Sequence, residues 1–342
     1  MKRFFFLCGL FALSLQSSAQ LAQRRFRLVE HNVENLFDTL HAEGRQDVEF
    51  TPAGNYQWDS RRYWSKQGRL ARLYAAVGGE VPADLIALCE VENDSVLYDL
   101  TRRTHLARLG YEYIGTSGPD VRGINVALLY QPLTFSPVSI DTIAVPLPEG
   151  KRPTRDILHV AGRLATGDTL DVFVCHTPSR SGGRRASQPN REVAALILRH
   201  STDSLFRLRQ HPLIVCTGDF NDESKNRPLR RTLGATFAPE GSKRVKAERL
   251  YELRPLSARR DVDGTYSWRG RWYELDHIFV SGTLLSDTSP LRSERTCQIL
   301  TFPFLLKEGD DGKRPAPFRT YLGTFYQGGI SDHLPLCADF WY

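Results

Sequence analysis

The chain contains the stretch Leu213-Ile214-Val215-Cys216-Thr217-Gly218-Asp219-Phe220-Asn221, an apolar run that ends in an aspartate and an asparagine. Its β-branched residues predict a buried strand, and Gly218 marks the point where that strand ends. Asp219 and Asn221 alternate across Phe220, so both side chains project to the same side. A buried strand that ends in polar groups on one side is typical of an active site at the edge of a sheet.

Four other segments have the same pattern, in which carboxylate, amide or imidazole groups follow or interrupt a strand-like run. They comprise residues 30–35, 88–92, 172–176 and 330–335. Such strands deliver their polar groups to one edge of a sheet, where a cleft can form. Because the polar groups run from residue 32 to residue 333, both halves of the chain must meet at one cleft. We therefore expect a single domain over residues 20–342 rather than two domains.

Strand-like and helix-like segments alternate after residue 20, without internal repeats or low-complexity tracts. Hairpins are predicted over residues 157–175 and 265–280. The longest helix is predicted over residues 192–208, with a buried stripe of Val193, Leu196, Ile197, Leu205 and Leu208. Hairpins mixed with crossover helices predict an α/β (α+β) fold, a four-layer sandwich of two stacked mixed sheets with helices outside.

The first 19 residues have the composition of a secretory signal peptide. Lys2 and Arg3 precede an apolar run over residues 4–15, and small polar residues follow up to Ala19. The run is too short for a comfortable membrane span. We expect cleavage after Ala19 and an exported, periplasmic or extracellular protein that is not stably inserted in the membrane.

Composition limits the function only weakly. Removing Lys2 and Arg3 lowers the formal net charge from +6 to +4, which is compatible with a polyanionic substrate but does not establish one. Removing Cys8 as well leaves five of the six cysteines. Most of these lie in strand-like apolar runs without a CxxC spacing, so we expect core thiols rather than a zinc site or disulfides.

The ordered set of segments resembles the endonuclease/exonuclease/phosphatase superfamily, which includes deoxyribonuclease I, abasic-site endonucleases, neutral sphingomyelinases and inositol-polyphosphate phosphatases. The resemblance rests on Gly-Asp-Phe-Asn at 218–221 and Ser-Asp-His at 331–333, and it extends from Asn32 to His333. It implies the same four-layer sandwich and a phosphoesterase that needs Mg²⁺, or Mn²⁺ or Ca²⁺. Carboxylate and amide oxygens are the ligands that these hard cations prefer.

The resemblance also implies a role for each site residue. The metal positions are Glu90, Asp332, Asn32 and Glu34. The catalytic positions are His176, Asp219, Asn221, Asp276 and His333. Asp219 is expected to orient or deprotonate the attacking water, Asp276 to fix the tautomer of His333, and His176 to protonate or stabilise the leaving oxygen. The chain departs from many relatives in having Cys175 before His176.

Substrate contacts are expected from Asn32, Tyr113, Arg122, Asn125 and Arg180. Asn125 stands where an acidic partner for His176 is expected. Arg180 lies in a Gly-rich loop with Arg184 and Arg185, which suits phosphates that flank the scissile bond but also suits a solvated basic loop.

A nucleic-acid phosphodiesterase is the first functional interpretation, and we expect a monomer. An inositol-phosphate phosphatase or a sphingomyelinase-like phospholipase is the alternative. The inositol-phosphatase form of the last motifs is replaced by Glu-Leu-Asp-His at 274–277, and no exposed aromatic hairpin of the membrane-docking kind is evident. Both observations favour the nuclease. A catalytically silent binding protein is the third alternative, and the retained acids and histidines argue against it.

Overall fold

A computed structural model describes residues 24–238, 245–309 and 314–342. The predicted signal peptide, residues 1–19, lies outside these ranges. The strands are β1 (Arg25–Leu36), β2 (Leu85–Val91), β3 (Glu112–Gly115), β4 (Asn125–Tyr130), β5 (Phe135–Ile143), β6 (Ile157–Leu164), β7 (Thr169–His176), β8 (Leu213–Asp219), β9 (Thr236–Phe237), β10 (Leu250–Glu252), β11 (Arg254–Ser257), β12 (Tyr266–Trp268), β13 (Arg271–Tyr273), β14 (Asp276–Ser281), β15 (Arg292–Ser293), β16 (Thr296–Ile299), β17 (Leu306–Lys307), β18 (Ala316–Pro317), β19 (Tyr321–Leu322), β20 (Phe325–Tyr326) and β21 (Leu336–Trp341).

Two large mixed sheets form the centre of the molecule. The first has the order β11-β16-β21-β1-β2-β4-β3, with β15 also paired to β21. The second has the order β5-β6-β7-β8-β14-β10-β9. In the first sheet β1 and β2 are parallel, and in the second β7 and β8 are parallel. The remaining strands form three small hairpins, β12-β13, β17-β18 and β19-β20.

The two sheets pack face to face through their central strands. Strands β1 and β2 contact β7, β8 and β14 across the interface. These strands are buried along almost their whole length, as expected for strands covered on both faces. The apolar side chains of the two sheets therefore share one interior, and the polar ends of the central strands lie at a common edge.

Within the ranges that the structure describes, three α-helices accompany the sheets, α1 (Ser60–Gly78), α2 (Asp94–Arg102) and α3 (Arg184–Leu208). The side chain of Asp59 caps α1 by accepting a hydrogen bond from the backbone N–H of Arg62, and Asn93 caps α2 through Val96. Shorter helical turns lie at Val48–Phe50, His105–Leu109, Pro228–Leu233, Gly282–Leu285 and Pro303–Leu305.

The prediction for the longest helix was wrong in its start and in its buried face. Helix α3 begins at Arg184, eight residues before the predicted start, and Leu208 is 75% exposed. The first half of the helix buries Arg191, whose Nε lies 2.7 Å from a carboxylate oxygen of Asp222. Apolar periodicity does not predict a buried helix face that contains an ion pair.

The five cysteines in the described part of the chain are all buried and free, which confirms the expectation of core thiols. Cys8 lies outside the described residues. Among the helices of the described residues, none combines the length and the apolar character that crossing a membrane requires.

Candidate active site

The polar strand ends meet in a cleft of about 660 Å³ at one edge of the sandwich. Its lining includes Glu90, His176, Asp219, Asn221, Asp332 and His333, together with Arg122, Arg155, Arg180 and Tyr266. A larger cavity of about 930 Å³ lies at the opposite end of β1. Arg27 in that cavity is already paired with Asp339, at 2.6 Å. The cleft at the polar strand ends is therefore the candidate active site.

Local bulges and left-handed backbone conformations occur where the polar groups leave the strands. The register of β1 against β2 shifts between Asn32 and Leu36, and the register of β2 against β4 shifts around Glu90. Glu34, Glu90 and Asn221 have left-handed backbone conformations, with φ of 52°, 66° and 51°. Such conformations are costly for residues other than Gly and concentrate at functional sites. The backbone therefore accepts strain where the candidate ligands leave the strands.

Gly218 permits β7 and β8 to approach closely beside the site. Its φ is 137°, and a Cβ atom at this position would lie 1.8 Å from the carbonyl oxygen of Cys175. In the parallel register of the two strands, His176 stands beside Asp219. Gly218 thus allows the His176 imidazole and the Asp219 carboxylate to lie side by side at the same edge of the sheet.

His333 and Asp276 form a buried hydrogen-bonded pair. The Nδ1 atom of His333 lies 2.7 Å from Oδ2 of Asp276, and the hydroxyl of Thr265 donates to the same oxygen. Burial disfavours the imidazolium, but the charge and hydrogen bond of Asp276, together with the charges of Asp219 and Asp332, outweigh burial and raise the pKa of His333 well above its ordinary value. The Nε2 atom then faces Asp219, at 4.0 Å from its Oδ2. The predicted partnership of Asp276 with His333 is present in the structure.

Asp219 lies at the centre of the cleft. Its Oδ2 accepts a hydrogen bond from the amide of Asn32 at 3.1 Å, and its Oδ1 accepts one from the backbone N–H of Asn221 at 2.8 Å. Burial and the nearby charge of Asp276 raise the pKa of Asp219 to about 7. A carboxylate with this pKa is suited to act as a general base near neutral pH.

His176 stands on the other side of Asp219. Its Nε2 lies 3.5 Å from Asp219 and 3.8 Å from Glu90. Burial, followed by the positive charges of Arg155 and Arg122, lowers the pKa of His176 well below its ordinary value. The imidazole is therefore neutral at neutral pH, which suits a hydrogen-bonding role better than the expected role of acid.

The structure does not bring Asn125 to His176. The Asn125 amide donates to the carbonyl oxygens of Glu92 and Gly123, at 2.7 and 3.1 Å, and accepts from Gly118 at 2.7 Å. The buried Nδ1 of His176 has no hydrogen-bond partner in the described part of the chain. The expectation that Asn125 orients His176 or binds substrate is corrected, because its hydrogen bonds already hold the turn before β4.

Tyr113 and Glu34 also lie apart from the cleft. The hydroxyl of Tyr113, on edge strand β3, donates to Asp94 at 3.2 Å. The carboxylate of Glu34 accepts backbone N–H groups of Thr320 and Tyr321, at 2.6 and 3.2 Å. Neither residue lines the cleft. The substrate contact expected of Tyr113 is therefore corrected, and Glu34 holds a backbone segment where a metal ligand was expected.

The oxygen groups that remain in the cleft fit a hard divalent cation. Glu90 and Asp332 both line the cleft. The amide of Asn32 donates a hydrogen bond to Asp219, which also lines the cleft. Glu90 is held in place because its Oε2 accepts the backbone N–H of Asn35 at 2.9 Å. A buried group of Asp219, Asp276 and His333 also has ligand atoms within 4.8 Å of one another. Carboxylate and amide oxygens of this kind would hold Mg²⁺, Mn²⁺ or Ca²⁺.

Arginines form one wall of the cleft. Arg155 is buried, with Nη1 3.1 Å from Asp120 and Nη2 2.7 Å from the carbonyl oxygen of Thr177. The Nε atom of Arg155 and an Nη atom of Arg180 have no partner in the described part of the chain. Both residues line the cleft that also contains the candidate base, and guanidinium groups are suited to phosphate oxygens.

Thr265 and Tyr266 had no predicted role in the site. The ring of Tyr266 lies against His333, with 4.9 Å between centroids. Both residues begin the hairpin that leads to Asp276, but their types are common in ordinary strands. The hydrogen bond from Thr265 to Asp276 and the isolated bridge between Tyr266 and His333 place them at the site.

The pH dependence of activity should follow the ionisation of Asp219. Its raised pKa means that the base is lost as the pH falls, so kcat/KM should fall below an apparent pKa of about 7, or somewhat lower when a cation binds nearby. A pH–rate profile over the range from about 4 to 9 checks this. A profile without an acid limb would contradict the assignment of Asp219 as base.

Comparison with known proteins agrees with this arrangement. The model of the Endonuclease/Exonuclease/phosphatase family matches residues 28–340. No curated protein matches the chain. An endonuclease/exonuclease/phosphatase family protein from Bacteroides thetaiotaomicron superposes with a TM-score of 0.57 at 16% identity, covering 94% of this chain and 98% of that chain.

Two further structures share the fold. A mannosyl-6-phosphatase from Bacteroides thetaiotaomicron gives a TM-score of 0.58 at 16% identity, covering 93% of this chain and all of the other (100%). The catalytic domain of human Nocturnin, with a bound sulfate anion, gives 0.53 at 17% identity, covering 94% and 98%. These likenesses confirm the predicted sandwich of two mixed sheets.

The family match covers far more than half of the chain, and it confirms the resemblance noted in the sequence. Members of this family are typically dependent on a divalent metal ion, which agrees with the donor groups of the cleft. The chain belongs to the endonuclease/exonuclease/phosphatase family of hydrolases, which act on phosphoester bonds.

Proposed function

We propose that this protein is an exported, divalent-metal-dependent phosphodiesterase that hydrolyses nucleic acid. The observation that carries the proposal is the convergence of the His333–Asp276 pair, Asp219 and His176 in one cleft lined by arginines. Export rests on the composition of residues 1–19 alone.

Asp219, His333 and the cation ligands have different roles in phosphodiester hydrolysis. Asp219 accepts the proton of the attacking water, because its pKa lies near neutrality and Asn32 fixes one of its oxygens. His333, held as a cation by Asp276, donates a hydrogen bond to the phosphoryl group or to the leaving oxygen. A cation held by Glu90, Asn32 and Asp332 would neutralise charge on the phosphate oxygens.

Neutral His176 completes the site by donating its Nε2–H across the cleft. Because its pKa is depressed, it contributes no positive charge at neutral pH. The positive charge on this side comes from Arg155 and Arg180, which line the cleft and whose guanidinium groups are suited to non-bridging phosphate oxygens. His333 is therefore the acid of this site.

An exposed aromatic surface next to the cleft favours a nucleic-acid substrate. Tyr266 lines the cleft, and Trp268, two residues along the same strand, is 49% exposed. Arg271 is paired directly opposite Trp268 in the hairpin. Aromatic rings beside guanidinium groups bind nucleotides through base stacking and phosphate contacts.

One observation favours a lipid substrate as the second candidate. The sequence predicted no exposed aromatic hairpin, but β19-β20 carries Leu322 and Phe325, which are 57% and 76% exposed. The expectation was wrong because this hairpin is short and its strands have only two residues each. An exposed apolar hairpin next to residues 331–333 is compatible with docking on a membrane.

A substrate panel separates the candidates. The purified protein is incubated with plasmid DNA, RNA, sphingomyelin vesicles, an inositol phosphate and a sugar 6-phosphate, each with Mg²⁺ or with a chelator. Cleavage of DNA or RNA that is lost in chelator supports the proposal. Turnover of the lipid alone, reduced by Phe325→Ala but not by Trp268→Ala, would replace it with the second candidate. Turnover of phosphomonoesters alone would contradict both candidates.

The contribution of Arg122 can be tested through ionic strength. This partly exposed arginine lines the cleft and makes only long contacts, 3.5 Å to Asn35 and 3.9 Å to Asp120. Arg122→Gln should lower kcat/KM for DNA by about tenfold at low salt and reduce the slope of its logarithm against the logarithm of salt concentration by about 1. Arg163→Gln, on the exposed side of β6, is the control. Equal slopes in both variants would contradict the phosphate contact.

A further inference from the structure

A second polar cavity lies beside the active site, on the far side of the end of β2. Its volume is about 310 Å³. The lining consists of Val91, Glu92, Asn93, Asp94, Leu97, Gly115, Thr116, Ser117 and Asn125. None of these residues lines the catalytic cleft. The cavity is therefore separate from the site described above.

Glu92 contributes an unpaired oxygen to this cavity. The residue is only 5% exposed, and its Oε2 accepts the backbone N–H of Asp38 at 2.7 Å. Its Oε1 is buried and has no hydrogen-bond partner in the described part of the chain. Burying a carboxylate oxygen without a partner is costly, and the cost is removed when the oxygen binds a cation or a donor.

The surroundings of Glu92 are rich in oxygen and lack a positive charge. Asp94 lines the same cavity, and Thr116 and Ser117 add hydroxyl groups. None of the described residues that line the cavity is basic. The amide of Asn93 is already used, because it donates to Asp38 at 3.1 Å. The cavity therefore offers acceptors and hydroxyl oxygens but no cation of its own.

We propose that this cavity binds a hard divalent cation, Ca²⁺ as the probe, through Oε1 of Glu92 and the carboxylate of Asp94. Carboxylate and other oxygen groups are the ligands that Ca²⁺ prefers. Glu92 also connects two elements, since its backbone carbonyl accepts the Asn125 amide and its Oε2 holds the segment after β1. A bound cation fixes that connection, so its effect is on stability and not on the chemical step.

The test uses a variant in which the catalytic cleft has lost Glu90, one of the two carboxylates proposed to hold its cation. Glu90→Gln, alone or combined with Glu92→Gln, Asp94→Asn or the exposed control Glu80→Gln, is dialysed against ⁴⁵Ca²⁺ up to about 10 mM, which covers weak extracellular sites. Glu90→Gln and Glu90→Gln/Glu80→Gln should each bind about one ion per chain and melt at a higher temperature with Ca²⁺.

The two variants with a changed cavity should bind at least about tenfold more weakly and lose the Ca²⁺-dependent shift in melting temperature. Circular dichroism shows whether each variant is folded. A folded Glu90→Gln/Glu92→Gln protein that still binds one ion with unchanged affinity would overturn the proposal. So would a Glu90→Gln protein that binds none. Neither result affects the proposed phosphodiesterase, which is measured separately by DNA cleavage.

Discussion

Replacing His333 by alanine should lower kcat for phosphodiester cleavage by a factor of about 10³ without unfolding the protein. His333 is held by Asp276 at 2.7 Å and is cationic at neutral pH. Its loss removes both the positive charge on the transition state and the donor to the leaving oxygen. Single-turnover kinetics with a labelled oligonucleotide measure the chemical step directly.

The control for this variant is His211→Ala, an exposed histidine in the turn before β8, which should retain full activity. Asp276→Asn provides a second check, because an amide cannot hold the imidazolium. We expect this variant to lose a large part of the rate. Activity should also fall at high pH as His333 loses its proton, and the apparent pKa of this fall should be lower in Asp276→Asn than in the wild type. If His333→Ala remained within tenfold of the wild type while folded, the role of the pair would be wrong.

Asp219→Asn should produce a loss of similar size, about 10³ in kcat/KM. The amide has nearly the same shape as the carboxylate, so the surrounding packing is kept while the base is removed, and the amide nitrogen replaces one of the two oxygens that accept hydrogen bonds from Asn32 and Asn221. The acid limb of the pH profile should disappear together with the rate. Initial rates at several pH values, measured for both proteins, check both expectations.

Asp287→Asn is the matched control, since this carboxylate is almost fully exposed and the residue does not line the cleft. It should leave rate and pH profile unchanged. A folded Asp219→Asn enzyme that retains the acid limb would assign that limb to another group and remove Asp219 from its proposed role.

The fold was predictable because the decisive information is local. An apolar run that forms a central strand, such as Leu213–Asp219, predicts that the strand is buried and shows which polar residue stands at its end. Polar groups at the ends of neighbouring strands must meet wherever those strands pair. The structure accordingly brings Glu90, His176, Asp219 and His333 to one cleft.

The partners of these residues were less predictable, because hydrogen bonds depend on short distances that the order of residues does not specify. Asn125 follows the predicted turn, but its amide is fully used within that turn. Glu34 lies two residues from Asn32, and the bulge in β1 directs its carboxylate to the backbone of Thr320. Sequence spacing cannot show which way a bulged residue faces.

The buried face of α3 and the exposed hairpin β19-β20 were also not predicted from the sequence. Arg191 occupies a position that periodicity assigns to an apolar residue. Phe325 has the type of a core residue but stands at a hairpin whose two-residue strands give no sequence signal. At Arg191 the ion pair with Asp222 overrides the ordinary preference of the residue type.

We propose that Glu90, Asn32 and Asp332 hold a hard cation that is required to cleave a phosphodiester. The most direct measurement is the initial rate of DNA cleavage against Mg²⁺ concentration for the wild type and Glu90→Gln. The wild type should be inactive in chelator and saturate with Mg²⁺, and Glu90→Gln should need at least about tenfold more Mg²⁺ or lose activity. Undiminished cleavage in chelator, or identical Mg²⁺ curves for the two proteins, would contradict the claim.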